Sequence, residues 1–211
     1  MKLDYLFFHH FGGFANDPLA SSIGLTEEHI ENAHKQRWPD FPSELNGSFI
    51  GYHIVIYPNY WKQYRLLGEE TAAVRGYNTR GAMVCVAGNF NRLGNSTRDQ
   101  MTPYQKEWLG KIGYAIINKN PESLGIKVKP GTEIAIPIQN VKPHRYAYAT
   151  DCYGMGLSDS FGREQVVPYV QLKLYQELLL KYTSLLESLR KVKRLGSISA
   201  KSCWDENNNR G

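Results

Sequence analysis

The chain has 211 residues, of which 42% are hydrophobic and 21% are charged, so it is long enough and apolar enough to fold around its own core. Its formal net charge of +5 favours an anionic partner, such as a nucleic acid, a membrane surface or an anionic polymer, without choosing among them. The three cysteines are widely spaced and odd in number, which excludes a disulfide framework. No apolar run approaches about 18 residues, so no transmembrane helix is expected, and the first residues lack a signal-peptide pattern.

The first predicted strand covers residues 4–10, an apolar run that ends in His9 and His10. Because side chains alternate along a strand, these two histidines point to opposite faces of the sheet, and only one of them suits a given site. Gly12 and Gly13 then break the strand. On this segment alone, a functional histidine and a pair of ordinary loop histidines are equally good interpretations.

Three further segments predict strands of a central sheet. The β-prone run over 50–57 predicts a central strand, and residues 60–67 predict its hairpin partner. The small apolar residues of 81–89 predict a strand that is buried on both faces. Cys85 lies inside that strand and is therefore expected to be an inert core thiol.

Two helices are predicted between and after these strands. Thr26 is the expected N-cap of a helix that reaches about Gln36 and contains His34. Glu28 lies in the first turn, but its spacing from Thr26 is not that of a capping box. A lone histidine in such a helix is usually structural. Thr102 and Pro103 begin the next helix as N-cap and first helical residue. The predicted fold class is α/β, with a central mixed β-sheet flanked by helices and a long C-terminal helix.

The C-terminal part of the chain predicts an amphipathic helix over 163–196. Its apolar residues alternate spacings of three and four, which is the pattern of a coiled-coil seam. They are Tyr175, Leu178, Tyr182, Leu185, Leu189 and Val192, and the stripe is widened by Leu172, Leu179 and Leu186. The stripe fits packing against the chain's own domain and assembly of a homo-oligomer equally well. We predict a domain over 1–162, this helix, and a polar, flexible tail over 197–211.

The segment from His144 to Cys152 carries an imidazole and a thiol within one loop, which is the ligand pair that zinc prefers. Either His9 or His10 supplies a third candidate ligand. Three protein ligands leave the fourth position of a tetrahedral zinc ion open for water, which indicates metal-assisted hydrolysis. The spacing matches no common structural zinc finger, because such a site needs four close ligands.

Several sequence segments, taken in order, resemble the zinc-dependent N-acetylmuramoyl-L-alanine amidases of the type shared by phage lysozyme-like amidases and peptidoglycan recognition proteins. The resemblance covers roughly residues 4–160. The segments are Phe7-Phe8-His9-His10, Ile50-Gly51-Tyr52-His53, Gly88-Asn89-Phe90, Thr102-Pro103-Tyr104-Gln105 and the stretch from His144 to Gly154. Their occurrence in the family's order makes the resemblance specific.

The resemblance implies roles for five residues. The family's zinc ligands fall on His9, His144 and Cys152, which decides the histidine pair in favour of its first member. Tyr52 falls on the family's catalytic tyrosine. Thr150 falls where members carry lysine or threonine facing the same oxygen. The hydroxyl groups of both residues are expected to stabilise the developing oxyanion by hydrogen bonds.

The chain also departs from the family pattern. Tyr153 replaces the usual proline after the metal cysteine, and Ala73 stands where many members have a histidine. The strand over 84–87 has no carboxylate, whereas some members place a catalytic glutamate there. The general base is therefore left open, because Glu69 and Glu70 are near in sequence but nothing places them at the metal.

The function implied by the resemblance is hydrolysis of the amide bond between N-acetylmuramic acid and L-alanine in bacterial peptidoglycan. No nucleic-acid partner is expected. The expected setting is a phage endolysin, made in the host cytoplasm without a signal peptide and acting on the cell wall; a bacterial enzyme that recycles wall fragments is the runner-up. The alternatives from other classes are a non-catalytic peptidoglycan-binding protein and a virion-associated assembly protein that carries an amidase-like domain.

Overall fold

A computed structural model describes residues 1–14, 16–147, 150, 152, 154 and 156–208, with side chains described as far as residue 192. The strands are β1 Lys2–Leu3, β2 Tyr5–His10, β3 Ile54–Ile56, β4 Trp61–Gln63, β5 Gly81–Val86, β6 Arg92–Leu93, β7 Ser96–Thr97, β8 Glu133–Ile134 and β9 Val141–Pro143. The α-helices are α1 Glu27–Arg37, α2 Pro103–Ile117 and α3 Phe161–Asn208, and short 3₁₀ turns cover Pro121–Leu124, Ile138–Asn140 and His144–Tyr146.

Five strands form the central sheet in the order β4-β3-β5-β2-β9. β2 runs parallel to both β5 and β9, and β3 runs parallel to β5, whereas β3 and β4 form an antiparallel hairpin. β1 pairs with β8 and β6 with β7 in two small ribbons. This mixed sheet with its flanking helices and long C-terminal helix confirms the predicted fold class.

Helices cover both faces of the sheet. On one face, Ile30 of α1 packs in a buried cluster that includes Cys85, which is fully buried as expected for a core thiol. On the other face, α2 approaches the sheet closely at Gly113, where a Cβ atom would lie 3.2 Å from the ring of Phe8 and 2.5 Å from Val166. A larger residue at Gly113 would therefore push α2 away from β2 and from the start of α3.

Both predicted helix starts are confirmed, and one of them has an unexpected cap. At α2, Gln105 donates its backbone N–H to Thr102 Oγ1 (3.1 Å), and its side chain accepts from the backbone N–H of Thr102 (3.0 Å). At α1, the backbone N–H of Thr26 donates to His29 Nδ1 (3.4 Å), so a capping box is present. His29 takes the position of the usual glutamate or glutamine in this box, whereas Glu28 does not have the required spacing.

α3 extends past residue 196 and through most of 197–211, where the sequence predicts a tail. No proline follows Pro168 in the sequence, so no proline ring blocks the backbone hydrogen bonds of the helix beyond that residue. Residues Met1–Tyr169 form one compact unit, and residues 170–211 form a second. Among the described residues, no helix is long and apolar enough to cross a membrane.

A buried ion pair fixes the loops that follow the β3–β4 hairpin. Arg65 Nη1 lies 2.9 Å from Glu69 Oε1, and both side chains are at most 3% exposed. The Glu69 carboxylate also accepts from the backbone N–H groups of Glu44 (2.9 Å) and Leu66 (3.0 Å), while Arg65 Nε donates to the carbonyl oxygen of Ile50 (2.8 Å). Glu69 is therefore a structural acceptor that joins two loops.

The variant Glu69→Gln should lower the free energy of unfolding by about 3 kcal/mol, because it leaves the Arg65 guanidinium buried without a counter-charge. Glu70→Gln is the matched control, since Glu70 is exposed and its loss should change stability by less than about 0.5 kcal/mol. Denaturant unfolding of both variants measures the difference. Equal effects at the two positions would contradict the structural role assigned to Glu69.

Candidate metal centre

The candidate centre begins at the carboxyl end of β2, where the two histidines diverge. His9 is 1% exposed and faces into the protein beside His144, with 4.7 Å between the ring centroids. His10 points the other way, where its Nδ1 accepts the backbone N–H of Phe90 (3.1 Å) and its ring stacks on the phenyl ring. The strand therefore presents His9, and not His10, to the other candidate ligands.

Sheet pairing brings the second ligand candidate to the first. β9 pairs with β2 through Phe8 and Pro143, so His144, the residue after β9, lies at the level of His9 on β2. The loop after His144 returns Cys152, whose Sγ lies 3.5 Å from His9 Nδ1. One nitrogen of each histidine and the cysteine sulfur all lie within 4.8 Å of one another. The structure thus brings together the three residues that the sequence proposes as ligands.

The loop that carries Cys152 is held by a residue that the sequence analysis did not single out. Arg145 donates from Nη1 to the carbonyl oxygen of Gly154 (2.9 Å) and from Nη2 to that of Leu157 (2.6 Å). Gly154 has a φ of +88°, and a Cβ there would lie 2.5 Å from the Phe90 carbonyl oxygen. Only glycine fits this close approach. Tyr153, the departure from the family pattern, lies outside the described residues.

Burial leaves this group of residues short of hydrogen-bond partners. Among the described residues, His9 Nε2 and His144 Nδ1 are buried without any partner. Such an atom costs about 1–3 kcal/mol unless something satisfies it. Desolvation lowers the pKa of His144 to about 4, and it lowers the pKa of His9 well below its ordinary value, helped by the neighbouring histidines. Both imidazoles are therefore neutral at pH 7, which is the form that binds metals.

The donor set fits a zinc ion. Two neutral imidazoles and one thiol are the ligand types that zinc prefers, and three protein ligands are the number found in catalytic zinc sites. His9, His144 and Cys152 could therefore hold a metal ion.

Tyr52 lies against this group from the loop before β3. Its ring centroid is 5.1 Å from that of His9 and 5.5 Å from that of His34. Burial raises the pKa of the Tyr52 phenol well above its ordinary value, and the nearby Cys85 and Cys152 thiols raise it further. The phenol therefore keeps its proton at neutral pH, and its hydroxyl forms a hydrogen bond with the Cys85 side chain.

Two other histidines position the Tyr52 loop. His34 Nδ1 accepts the backbone N–H of Gly51 (3.0 Å). His53 Nδ1 accepts the backbone N–H of Met83 (2.9 Å), so its Nε2 carries the proton and donates to the carbonyl oxygen of Glu69 (3.1 Å). Desolvation lowers the pKa of His34 to about 4 and that of His53 to about 3, so both rings stay neutral and keep these bonds.

Thr150 lies beside Cys152 in the loop. The backbone N–H of Cys152 donates to Thr150 Oγ1 (3.2 Å), and this bond orients the start of the cysteine's backbone. Since a hydroxyl accepts and donates at once, Thr150 retains its own proton for another acceptor. The side chain lines the same cleft as Tyr52 and His144.

A cleft of about 760 Å³ opens beside the candidate ligands. Ala73 lines this cleft, and its loop is held by Asn78 Oδ1, which accepts the backbone N–H of Ala73 (3.0 Å). Arg37 and Arg75 lie exposed along the cleft. Among the described residues that line it, none carries a carboxylate.

Comparison with solved structures shows the same fold in endolysins. The N-acetylmuramoyl-L-alanine amidase LysC from Clostridium intestinale URNW aligns with a TM-score of 0.53 at 20% identity, over 78% of this chain and 85% of that one. The endolysin amidase LysCS from the same organism gives 0.53 at 20% identity, over 78% and 83%. The Ph2119 endolysin from the Thermus scotoductus MAT2119 bacteriophage Ph2119 gives 0.52 at 16% identity, over 79% and 86%.

These similarities define the class of fold, which this chain shares with endolysin amidases. No protein-family model matches the sequence, and no curated protein matches it. The activity of this chain must therefore be inferred from the side chains of the candidate centre.

The variants His9→Asn and His10→Asn test which histidine binds metal. His9→Asn should lose bound zinc, because the set then keeps only two ligands. His10→Asn should retain about one zinc per chain, because asparagine Oδ1 can replace Nδ1 as the acceptor of the Phe90 N–H. Elemental analysis of the dialysed proteins gives the stoichiometry. Retention of zinc by His9→Asn, with loss in His10→Asn, would reverse the assignment.

Proposed function

We propose that this chain is a zinc-dependent N-acetylmuramoyl-L-alanine amidase that acts on peptidoglycan as a phage endolysin. The observation that carries the proposal is the convergence of His9, His144 and Cys152, whose ligand atoms lie within 4.8 Å of one another. The convergence joins two distant parts of the sequence, the end of β2 and the segment 144–152, and each of the two histidines has one buried nitrogen without a hydrogen-bond partner. A purely structural core would more commonly pair such nitrogens with protein donors or acceptors.

The structural comparisons support the substrate class. The three solved structures compared above are N-acetylmuramoyl-L-alanine amidases or endolysins. Their identity of 16–20% establishes the fold alone, so the activity of this chain rests on its own residues. The positive charge of Arg37 and Arg75 along the cleft suits an anionic polymer such as peptidoglycan.

In the proposed mechanism, His9, His144 and Cys152 hold the metal, and Arg145 keeps the cysteine loop in place. When bound, zinc supplies Lewis acidity toward the substrate carbonyl and lowers the pKa of water to roughly 7. The neutral state of both histidines keeps their lone pairs available to the metal at the pH of the reaction.

Tyr52 and Thr150 complete the proposed site as hydrogen-bond donors. The raised pKa of Tyr52 keeps the phenolic proton in place, so the hydroxyl can donate to the oxyanion that develops on the scissile carbonyl oxygen. Thr150 accepts from the Cys152 backbone and can donate its own hydroxyl proton in the same direction. Neither group adds charge to the site.

The cleft itself supplies no described carboxylate to act as a general base. Glu69 is engaged by Arg65 and two backbone N–H groups, and Glu70 is not among the residues that line the cleft. Proton transfer to the leaving amine is therefore assigned to neither glutamate. This distinguishes the chain from family members that place a glutamate in the central strand.

The decisive experiment measures zinc content beside release of L-alanine amino groups from purified peptidoglycan. We expect about one zinc per chain, and release that a chelator abolishes and added zinc restores. Cys152→Ala should lose both zinc and activity, whereas Cys203→Ala, a thiol control outside the unit Met1–Tyr169, should keep both. Zinc binding without release would favour a peptidoglycan-binding or virion-associated protein, and release by zinc-free Cys152→Ala would overturn the mechanism.

Tyr52→Phe should lower kcat by about 10²–10³-fold while zinc content stays unchanged, because it removes one donor to the developing oxyanion. Tyr60→Phe is the matched control, since Tyr60 is 40% exposed and its hydroxyl donates to Glu27 on the surface. Steady-state kinetics on a soluble muropeptide separate kcat from KM. An unchanged kcat in Tyr52→Phe would remove the tyrosine from the mechanism.

A further inference from the structure

The segment 172–192 of α3 exposes an unusual amount of apolar surface. Ten large apolar side chains there are each more than half exposed, namely Leu172, Leu174, Tyr175, Leu178, Leu179, Leu180, Tyr182, Leu185, Leu189 and Val192. Soluble proteins rarely leave so continuous an apolar surface uncovered, and such surfaces commonly mark an interaction site.

Most of these side chains follow a heptad repeat. Tyr175, Tyr182 and Leu189 occupy one core column, and Leu178, Leu185 and Val192 occupy the other. The two columns alternate spacings of three and four, which keeps them on one side of the helix over the whole segment. The charged side chains fall outside the two columns, as illustrated by the ion pair between Lys173 and Glu177 on the opposite side (3.7 Å). The heptad face is therefore apolar along its full length.

The surface of this helix also has a depression between four side chains, like those that receive a core side chain of the facing helix in a coiled coil. A cavity of about 280 Å³ is lined by Tyr175, Leu178, Leu179 and Tyr182 alone. These residues have the spacing i, i+3, i+4 and i+7, and they surround a depression between two turns. In a coiled coil, each core side chain of one helix inserts into such a hole of four residues on the facing helix.

We propose that the occupant of this face is the same face of a second copy of this chain, so that the protein assembles through residues 172–192. One helix carries both the core columns and the hole, so two copies complement each other without any other partner. Leu172, Leu179 and Leu186 add a third apolar column. A helix with three apolar columns can bury them against more than one partner helix. The proposed assembly therefore has two or more copies of the chain.

Charge favours a protein partner over a lipid surface. The segment carries Lys173, Lys181, Arg190 and Lys191 against Glu177 and Glu187, so both signs are mixed along it. A helix that lies on an anionic membrane typically has a uniformly basic polar face. Mixed charges beside a heptad face are instead typical of helices that pair in water.

The test is the molar mass of the full chain by light scattering across a dilution series. We expect at least twice the chain mass of 24.1 kDa. Leu178→Glu places a charge in the core column and should return the mass to that of one chain. Leu180→Glu is the matched control, because Leu180 is 71% exposed and lies away from the heptad columns; this variant should keep the assembled mass.

The outcomes separate this proposal from the enzymatic one. A wild-type mass of 24.1 kDa at every concentration, or an assembled mass that survives Leu178→Glu, would overturn it. Sedimentation of a monomeric wild type with anionic phospholipid vesicles would assign the face to a membrane instead. Zinc content and amidase activity, measured on the same samples, report on the candidate metal centre and are independent of the mass.

Discussion

The pairing register between β2 and β9 is the constraint on which the candidate centre depends. Because the two strands are parallel and Phe8 pairs with Pro143, the next residues along the sequence, His9 and His144, lie together at one edge of the sheet. A slip of one residue would present His10 in place of His9, since successive side chains alternate between faces. The buried faces of β2 and β5 prevent such a slip, so the ordinary packing of the core also fixes the geometry of the ligands.

The candidate centre contains buried polar atoms that cost folding free energy, and neighbouring side chains hold its loops in place. Two buried imidazole nitrogens have no protein partner, and desolvation keeps both rings neutral. Two nearby side chains, by contrast, have protein partners, namely Arg145 on the cysteine loop and His53 between β5 and the Glu69 loop. Within the candidate centre, the unmet bonding capacity lies on the two histidines that face each other. With this donor set, the three residues could hold a metal ion.

Much of this could be predicted from the sequence, because the relevant signals are local. Strand alternation separates the two histidines, Thr-Pro marks the start of α2, and apolar runs mark the central strands. The contacts of Arg145, His53 and Asp99 could not be predicted in this way. Asp99, for example, accepts the backbone N–H groups of Ser22 and Asn89, which are 77 and 10 residues away. Such polar contacts depend on how distant loops meet after the sheet has formed, and a single sequence carries no signal for them.

The position of β2 within the sheet has a consequence for the synthesis of the protein. This strand belongs to the first ten residues, yet one of its neighbours is β9 at residues 141–143, and its histidine meets a cysteine 143 residues further along the chain. A nascent chain therefore cannot assemble the three donors until nearly the whole unit has left the ribosome. Parallel pairing over such separations is also slow, since loop closure precedes the stabilising contacts. The candidate centre is thus complete only after almost the whole unit Met1–Tyr169 has been translated.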